Sequence, residues 1–379
     1  MSLTRTIAEI LLTRAQPDLI ELGTRWFRLL RGRWQNGEWK LKTAAAVPAP
    51  AGILFSSHLP LCIFDETAVI NALRGLYGGV VPRETYAALV LPDQAFHVGT
   101  LNLSSVILKA NPMAALEREV QNTAPLPLRE YLLKFEIGQQ HGNRTLVPFC
   151  AILKPVLGEI ERLFDLVGIQ LLSIQPSFVG TSALWRQIDP APSTQPVCLM
   201  HIGNEATTIG IGAPTGLKRI QTIPVGVYDA VTRLSKAVSI SARDAETALQ
   251  KELILLDDPT QDAQTEIPAY QALEATFSTW LHKLYGILQL HAAEVPTDVS
   301  YRQIVLSGGG AGWKNFDRLI ADNLGLTVIR FETACAAKLS AAFTGLEIPE
   351  GGAQGFLPLL GHLMLQPWQL DRLDRVAAA

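Results

Sequence analysis

Apolar residues recur at helical spacing in several segments of the chain. The clearest stripe lies in the second half of the sequence and consists of Leu273, Phe277, Trp280, Leu281, Leu284 and Leu288. This spacing predicts a long amphipathic helix that packs against a sheet. A second stripe, over residues 157–167, ends at Gly168, and glycine commonly terminates helices. Shorter helices are predicted over residues 115–122 and 316–323.

Short apolar runs lie between these helical segments. They cover residues 87–91, 147–153 and 303–307, and runs of this length predict buried strands. Because strands alternate with helices, the pattern favours an α/β fold with at least partly parallel sheets.

Two segments share a strand, a glycine turn and a second strand. The first is LIELGTRWFRLL (residues 19–30) and the second is LMHIGNEATTIGI (residues 199–211), with Gly23 and Gly203 in corresponding places. The repeated pattern indicates two lobes with related openings. After the first segment, Asn36-Gly37 predicts a two-residue hairpin turn, because both positions must accept a positive φ.

A proline-rich connector over residues 186–196 separates the two segments. The chain has 379 residues and 48% of them are apolar, which is enough for two lobes with substantial cores. Only 18% are charged, below the usual share of about 25%, and this is compatible with a surface covered by a partner. The formal net charge of -3 argues against a basic nucleic-acid-binding protein.

The four cysteines are far apart in the sequence and form no CxxC pair; they are Cys62, Cys150, Cys198 and Cys335. Their spacing argues against a disulfide framework and a zinc knuckle, and it suits the reducing cytosol. No signal peptide is expected at the N-terminus. No run of 18 apolar residues occurs, so the chain is not expected to span a membrane by itself.

A glycine-rich elbow is the strongest local motif. The segment IVLSGGGAG (residues 304–312) is a buried strand that ends in Gly308, Gly309 and Gly310, and a predicted helix follows. Glycines allow a ligand to approach the backbone closely, and a helix N-terminus offers free N–H groups. The segment lacks the GK[ST] ending of a Walker A loop and is not a dinucleotide-binding GxGxxG motif. Taken alone, it is as compatible with a structural turn as with a ligand site.

The order of these motifs resembles the actin-like (ribonuclease H-like) two-lobed α/β fold, with two inserted small subdomains. Within that fold the sequence is most similar to the PilM family of type IV pilus assembly proteins and to FtsA, followed by the cytoplasmic domain of type II secretion L proteins. The resemblance rests on YAALVLPDQA (residues 86–95), LEREVQNTAPLPLRE (116–130), LFDLVGI (163–169), IPVG through ARDAE (223–246) and the elbow. The individual motifs are loose, but their order and spacing are specific.

The resemblance implies a domain organisation. The first lobe would comprise residues 1–190, with a small subdomain inserted at about 95–150. The second lobe would comprise residues 191–379, with a small subdomain at about 236–299 and C-terminal helices that return to the first lobe.

The resemblance also implies that the two glycine turns hold the phosphates of ATP, with an aspartate before each turn glycine binding hydrated Mg²⁺. In the first turn Glu21 keeps the negative charge for the metal, Gly23 and Thr24 keep the turn, and Arg28 replaces a lysine that contacts phosphate. Arg25 stands where a small residue is usual. Its side chain would either crowd the phosphates or bind them, and the sequence leaves both interpretations open.

The second turn departs further from the nucleotide-binding pattern. Gly203 and Asn204 keep the turn, but His201 replaces the aspartate, and a neutral imidazole is a poor ligand for Mg²⁺. Glu205 places a carboxylate in the phosphate loop, where it would repel a nucleotide. The resemblance thus implies ATP binding, while these residues make Mg²⁺ binding doubtful and argue against efficient hydrolysis. A structural role at a strand end is the alternative interpretation of His201.

Two further residues are candidates only through the resemblance. Lys251 and Glu252 would reach a ribose hydroxyl, and the alternative is an ordinary solvated pair. No catalytic motif such as HExxH or GxSxG is present.

Two classes of function follow from the resemblance. The first is a cytoplasmic scaffold at the inner face of the inner membrane, which binds the N-terminal cytoplasmic tail of a bitopic, PilN-like membrane protein. The groove would lie between the first lobe and its inserted subdomain, around residues 91–101 and 130–137. The second class is an active enzyme of the same fold, an ATPase or a small-molecule kinase. A filament-forming actin relative is a third option.

Overall fold

The computed structural model describes residues 17–36, 38–138, 140–188, 195–213, 216–251, 266–294, 301–347 and 352–365. The strands of these residues are, in chain order, β1 (Asp18–Leu22), β2 (Trp26–Gln35), β3 (Glu38–Pro48), β4 (Ile53–Leu54), β5 (Cys62–Ile63), β6 (Thr85–Leu91), β7 (Phe96–Ser104), β8 (Tyr131–Phe135), β9 (Gln140–His141), β10 (Arg144–Leu153), β11 (Ile169–Pro176), β12 (Val197–Ile202), β13 (Thr207–Ala213), β14 (Gly216–Ile223), β15 (Gln303–Ser307) and β16 (Val328–Arg330).

The α-helices of the same residues are α1 (Glu66–Gly75), α2 (Ser105–Ala110), α3 (Pro112–Thr123), α4 (Lys154–Val167), α5 (Ser177–Ile188), α6 (Val227–Val238), α7 (Ala242–Lys251), α8 (Glu266–Glu294), α9 (Phe316–Leu324), α10 (Phe331–Ala342) and α11 (Leu357–Met364). Each helix predicted from an apolar stripe is present and extends beyond the predicted bounds. Helix α4 ends as predicted at Gly168, whose φ of 78° suits glycine. None of the helices in the described ranges is long and apolar enough to cross a membrane.

Two five-stranded sheets have the same topology. In the first, with strand order β11-β6-β1-β2-β3, an antiparallel meander of three strands is followed by two strands parallel to β1. In the second, with order β14-β13-β12-β15-β16, the meander β12-β13-β14 is followed by β15 and β16, which run parallel to β12. The prediction of an α/β fold with partly parallel sheets and related lobe openings is therefore confirmed.

A small unit with both strands and helices is inserted between β6 and β11. Its sheet has the order β7-β10-β8, with β9 paired to β10, and α2 and α3 cover one face around a separate apolar cluster that includes Leu116 and Phe149. Strands β7 and β10 lie against β14 of the second sheet. The N–H of Ile220 in β14 donates to Thr100 Oγ1 in β7 at 3.0 Å, so the inserted unit contacts both lobes.

Helices α5 and α11 join the lobes. They belong to an apolar cluster that contains Leu30 of the first sheet and Val305 of the second, and α11 also contacts β1 and β2. The two helices cross at Gly180 and Gly361, where a Cβ added to Gly361 would lie 1.8 Å from the Gly180 carbonyl oxygen. Only glycine at both places allows this backbone contact.

Several predicted features lie outside the described residues. These are most of the connector over residues 186–196, Gly37 of the predicted hairpin turn, and Glu252. Asn36 is described, and its φ of 54° agrees with the predicted turn.

Candidate functional site

The two glycine turns have the same backbone geometry. The Gly23 N–H donates to the Trp26 carbonyl at 3.0 Å, and the Gly203 N–H donates to the Ala206 carbonyl at 2.9 Å. A Cβ on Gly23 or Gly203 would lie 2.7 or 2.8 Å, respectively, from the oxygen that accepts this bond. Close approach of the backbone therefore requires glycine at both turns, as the shared sequence pattern indicated.

The two turns contact each other across the cleft between the lobes. Asn204 Nδ2 donates to Thr24 Oγ1 at 3.0 Å. This distance leaves no room for a phosphate group between the two side chains.

The glycine elbow packs directly on the second turn. Gly308 has a φ of 85°, and a Cβ there would lie 2.4 Å from the Ile202 carbonyl oxygen. Before the elbow, Ser307 Oγ lies 3.0 Å from His201 Nδ1. The elbow and the two turns lie far apart along the chain, and the fold brings them together in one cleft.

The helix after the elbow begins at Phe316, the residue predicted from the sequence. A 3₁₀ turn, Gly309–Gly312, intervenes before α9, and the Phe316 N–H that opens α9 donates to the Trp313 carbonyl. The predicted order of strand, glycine elbow and helix is therefore present, with a 3₁₀ turn between the elbow and the helix.

The segment that follows the elbow contacts α7. The Lys314 N–H donates to the Leu249 carbonyl of α7 at 3.2 Å. Lys251 is the last residue of α7 and is exposed, and its predicted partner in ribose binding, Glu252, lies outside the described residues.

Glu21 and Arg28 form a pair beneath the first turn. Arg28 Nη1 donates to Glu21 Oε2 at 2.8 Å, and both side chains are largely buried. The guanidinium also lies over the Phe356 ring, 5.9 Å from its centroid. A Cβ on Gly355 would come within 2.8 Å of Arg28 Nε. The predicted metal ligand and the predicted phosphate ligand thus bind each other.

His201 is a neutral group at the end of β12. Burial and the nearby Arg28 charge lower the pKa of His201 to about 4. Because its Nδ1 is within hydrogen-bonding distance of Ser307 Oγ, the histidine has a local partner, in keeping with the structural interpretation at a strand end. A neutral imidazole offers Mg²⁺ none of the charge that an aspartate would supply at this position.

Arg25 and Glu205, the two residues that depart most from the phosphate-loop pattern, both bind across the cleft. Arg25 Nη1 contacts Glu246 Oε1 of α7. Gln94 Nε2, which follows β6 in the first lobe, donates to Glu205 Oε2. Burial raises the pKa of Glu205 and the negative charge of Asp229 adds to the rise, while the Gln94 hydrogen bond opposes it.

Asp93 is a buried carboxylate that the sequence reasoning did not single out. Its Oδ1 accepts from the Phe178 N–H at the start of α5 at 2.9 Å. Burial raises the pKa of Asp93 to about 6, against hydrogen bonds from Phe178, Thr208 and Ser177, and the Glu21 charge adds to the rise. The signal was available: Asp93 follows β6, and the carboxyl ends of adjacent parallel strands meet at one edge of a sheet.

Within the described ranges, no group of three or more His, Cys, Asp or Glu side chains is placed to hold a metal ion. The cleft carboxylates are engaged by protein partners: Glu21 by Arg28, Glu205 by Gln94, and Glu246 by Arg25. In this arrangement the cleft carboxylates are bound by side chains of the protein, and its residues do not fit a triphosphate and its metal ion.

Comparison with known proteins identifies the fold. No protein-family model matches the chain, and no curated protein matches its sequence. A chain of a PilM–PilN type IV pilus biogenesis complex superposes with a TM-score of 0.68 at 16% identity, covering 93% of this chain and 97% of that chain. MreB 5 of Spiroplasma citri bound to AMPPNP superposes with a TM-score of 0.50 at 14% identity, covering 87% and 96%.

These similarities confirm the predicted fold, because they extend over nearly the whole of each chain. They also confirm, at the level of the fold, the resemblance to PilM that the motif order indicated. The chain therefore has the two-lobed actin-like α/β fold, in a form similar to that of a chain in the PilM–PilN complex.

Proposed function

We propose that this protein is a cytoplasmic actin-like scaffold that binds the N-terminal cytoplasmic tail of a bitopic, PilN-like inner-membrane protein. It would act in the inner-membrane assembly platform of a type IV pilus or type II secretion system. The observation that carries the proposal is the similarity, over 93% of the chain, to a chain of a PilM–PilN complex.

An exposed sheet edge supports the proposal. Strand β8 is at the end of the order β7-β10-β8, and Leu132 on β8 is 41% exposed while Ile137 beyond it is 54% exposed. An edge strand of this kind offers unpaired N–H and C=O groups to an extended peptide.

An apolar hairpin lies beside that edge. It comprises β4, β5 and the loop between them, and Leu54, Leu59 and Phe64 in this region are all about half exposed or more. The Tyr131 hydroxyl of β8 donates to the Ser57 carbonyl of the hairpin loop at 2.9 Å. We call the edge of β8 and this hairpin the tail-binding surface.

One side of the groove predicted from the sequence belongs to the hydrophobic core of the first lobe. Leu91 and Phe96, from the predicted range 91–101, are buried in the apolar cluster of the first lobe. The proposed docking region therefore keeps the predicted range 130–137 and replaces the other side of the groove with the hairpin.

The nucleotide site of the proposed scaffold is degenerate. The neutral His201, the Glu205 carboxylate in the second turn and the contact between Thr24 and Asn204 all oppose binding of Mg-ATP. Restoring the pattern with His201→Asp and Glu205→Ser together should raise the affinity for Mg-ATP in calorimetry. An unchanged affinity would mean that another feature closes the cleft.

Calorimetry with a synthetic peptide tests tail binding. The peptide would be the N-terminal cytoplasmic segment of a single-span membrane protein encoded beside this chain. We expect saturable binding that Leu132→Asp weakens at least tenfold, because a carboxylate would be placed on the apolar edge. Tyr285→Ser on α8, which removes a side chain that is 53% exposed elsewhere, is the control and should not change binding. No binding by the wild-type chain would contradict the proposal.

An active ATPase or small-molecule kinase is the second candidate. It is favoured by the similarity to MreB 5, whose structure contains AMPPNP. Tight Mg-dependent ATP binding with turnover, together with no capture of the peptide, would favour this candidate over the scaffold.

A further inference from the structure

Two side-chain contacts cross the cleft in opposite senses. The first lobe supplies Arg25 from its glycine turn to Glu246 on α7 of the second lobe. The second lobe supplies Glu205 from its own glycine turn to Gln94 of the first lobe. Both turns therefore reach across the cleft with the residue that departs from the phosphate-loop pattern.

The direct contact between the turns links these two contacts. Thr24 and Asn204, which share a hydrogen bond, are the immediate neighbours of Arg25 and Glu205 in the sequence. The six side chains that take part come from both turns, the segment after β6 and α7; they are Thr24, Arg25, Gln94, Asn204, Glu205 and Glu246.

We propose that these six side chains form a latch that closes the cleft in the absence of nucleotide. The inference rests on the degenerate nucleotide site of the proposed function. It adds that contacts between side chains of the chain itself hold the cleft closed. In this view Arg25 does not bind phosphate, because its guanidinium is held by a carboxylate of the chain itself.

The charges around the latch oppose a triphosphate. Asp229 lies close enough to Glu205 to raise its pKa, and the buried Asp93 lies near Glu21. A triphosphate entering between the turns would have to break the contacts of Arg25 and Glu205 and would meet these carboxylates. The latch therefore both closes the lobes and excludes the ligand for which the fold is otherwise suited.

Other contacts also hold the lobes together. The apolar cluster around α5 and α11 joins the lobes, and Thr100 joins the inserted unit to β14. Beside the second turn, Thr208 also donates to Asp93 of the first lobe. In the proposal, the latch adds to these contacts and selects the closed arrangement. Arg25 is 48% and Glu246 is 19% exposed, so salt should weaken the latch without unfolding the chain.

Pulsed electron spin resonance on the full chain would test the latch. Spin labels at Ala51→Cys and Ala242→Cys, in a Cys62→Ser background, report on both sides of the cleft. Both alanines are exposed; Ala51 lies near Ala49, whose N–H donates to the Arg25 carbonyl, and Ala242 opens the helix that carries Glu246.

We expect one narrow distance distribution in the wild-type chain, unchanged by Mg-ATP. Arg25→Glu should move it to longer distances and broaden it, and adding Glu246→Arg should restore it. The control is Arg162→Glu, because Arg162 is exposed to a similar degree as Arg25 but pairs with Glu66 and Glu159 within the first lobe; it should leave the distribution unchanged. If Arg25→Glu does not fold, Glu246→Gln should give a smaller shift in the same direction.

A wild-type distribution that is broad without nucleotide and narrows only with Mg-ATP would overturn the latch. An unchanged distribution in a folded Arg25→Glu chain would overturn it as well. Failure of the wild-type chain to bind the tail peptide would count against the scaffold only, because the distance measurement does not depend on the peptide.

Discussion

The two glycine turns have the same backbone and different chemistry. Each closes with a hydrogen bond from the glycine N–H to the carbonyl three residues later. Below the first turn lies the charged pair of Glu21 and Arg28, whereas below the second lies the neutral contact of His201 and Ser307. Across the cleft the first turn extends a cation, Arg25, and the second an anion, Glu205.

The difference shows that the backbone geometry of these turns and their ligand chemistry are separable. Steric contact with the backbone requires Gly23 and Gly203 whether or not phosphate is bound. The flanking side chains carry the chemistry, and in both turns they include a charged group that binds a protein partner: Arg25 in the first and Glu205 in the second. A glycine turn in this fold is therefore evidence for the fold, and the residues around it decide the ligand.

The largest effect should come from the charged pair of the first turn. Glu21→Gln leaves the Arg28 guanidinium buried without a counter-charge, so we expect the free energy of unfolding to fall by about 3–5 kcal/mol. Ser307→Ala, the matched change below the second turn, removes a neutral hydrogen bond and should cost about 1 kcal/mol. Urea unfolding would measure both, and equal losses would mean that the two turns do not differ in this way.

Acid should act on the second turn through His201. The pKa of His201 is lowered to about 4 in the folded chain, so the unfolded chain binds more protons between about pH 6.5 and 4, and stability falls as the pH falls through this range. His201→Asn should remove up to about 3 kcal/mol of this acid-induced loss. The measurement is the free energy of unfolding from pH 7 to pH 4.

Asp93 should oppose His201 in the same titration. Its pKa is raised to about 6, so the folded chain binds the extra proton and Asp93 adds stability as the pH falls from about 6 to 4. Asp93→Asn should therefore make the acid-induced loss steeper. Burial also lowers the pKa of His362 to about 4, so His362 adds to the acid-induced loss of stability in both proteins. A shallower loss in Asp93→Asn than in the wild-type chain would contradict the sign assigned to Asp93.

Alanine at the two turn glycines should have equal effects. The added Cβ meets a carbonyl oxygen at 2.7 Å in Gly23→Ala and at 2.8 Å in Gly203→Ala, so each should cost about 1–3 kcal/mol. Gly212→Ala is the control, because no atom lies within 4 Å of its added Cβ, and it should not destabilise the chain. A large difference between the two turns in thermal or urea unfolding would show that their backbones are constrained differently.

The smallest expected effect is the coupling between the turns. In a double-mutant cycle, Thr24→Val and Asn204→Ala should show a coupling energy of about 0.5–1.5 kcal/mol, since they share one hydrogen bond. Additive effects in urea unfolding would mean that the turns do not contact each other in solution.

Much of the fold could be predicted because it depends on local patterns. The stripe from Leu273 to Leu288 predicted α8, and β15 has the predicted bounds Gln303–Ser307. The turn glycines were recognisable because each backbone contact requires a residue without Cβ. The repeated topology of the two sheets followed from one short repeated pattern.

The partners of the site residues could not be predicted in the same way. Arg25 and Glu246 are separated by 221 residues, and Gln94 and Glu205 by 111. A single sequence does not indicate which polar side chains meet over such separations. The two interpretations of Arg25 therefore stayed open at the level of sequence, and neither included a carboxylate on α7.

The crossing of α5 and α11 has a mechanical consequence. Because the two backbones touch at Gly180 and Gly361, a methyl group at either glycine would force α5 and α11 apart. Both helices pack against the two sheets in one apolar cluster, so a buried change far from the cleft should alter the angle at which the two halves of the molecule meet.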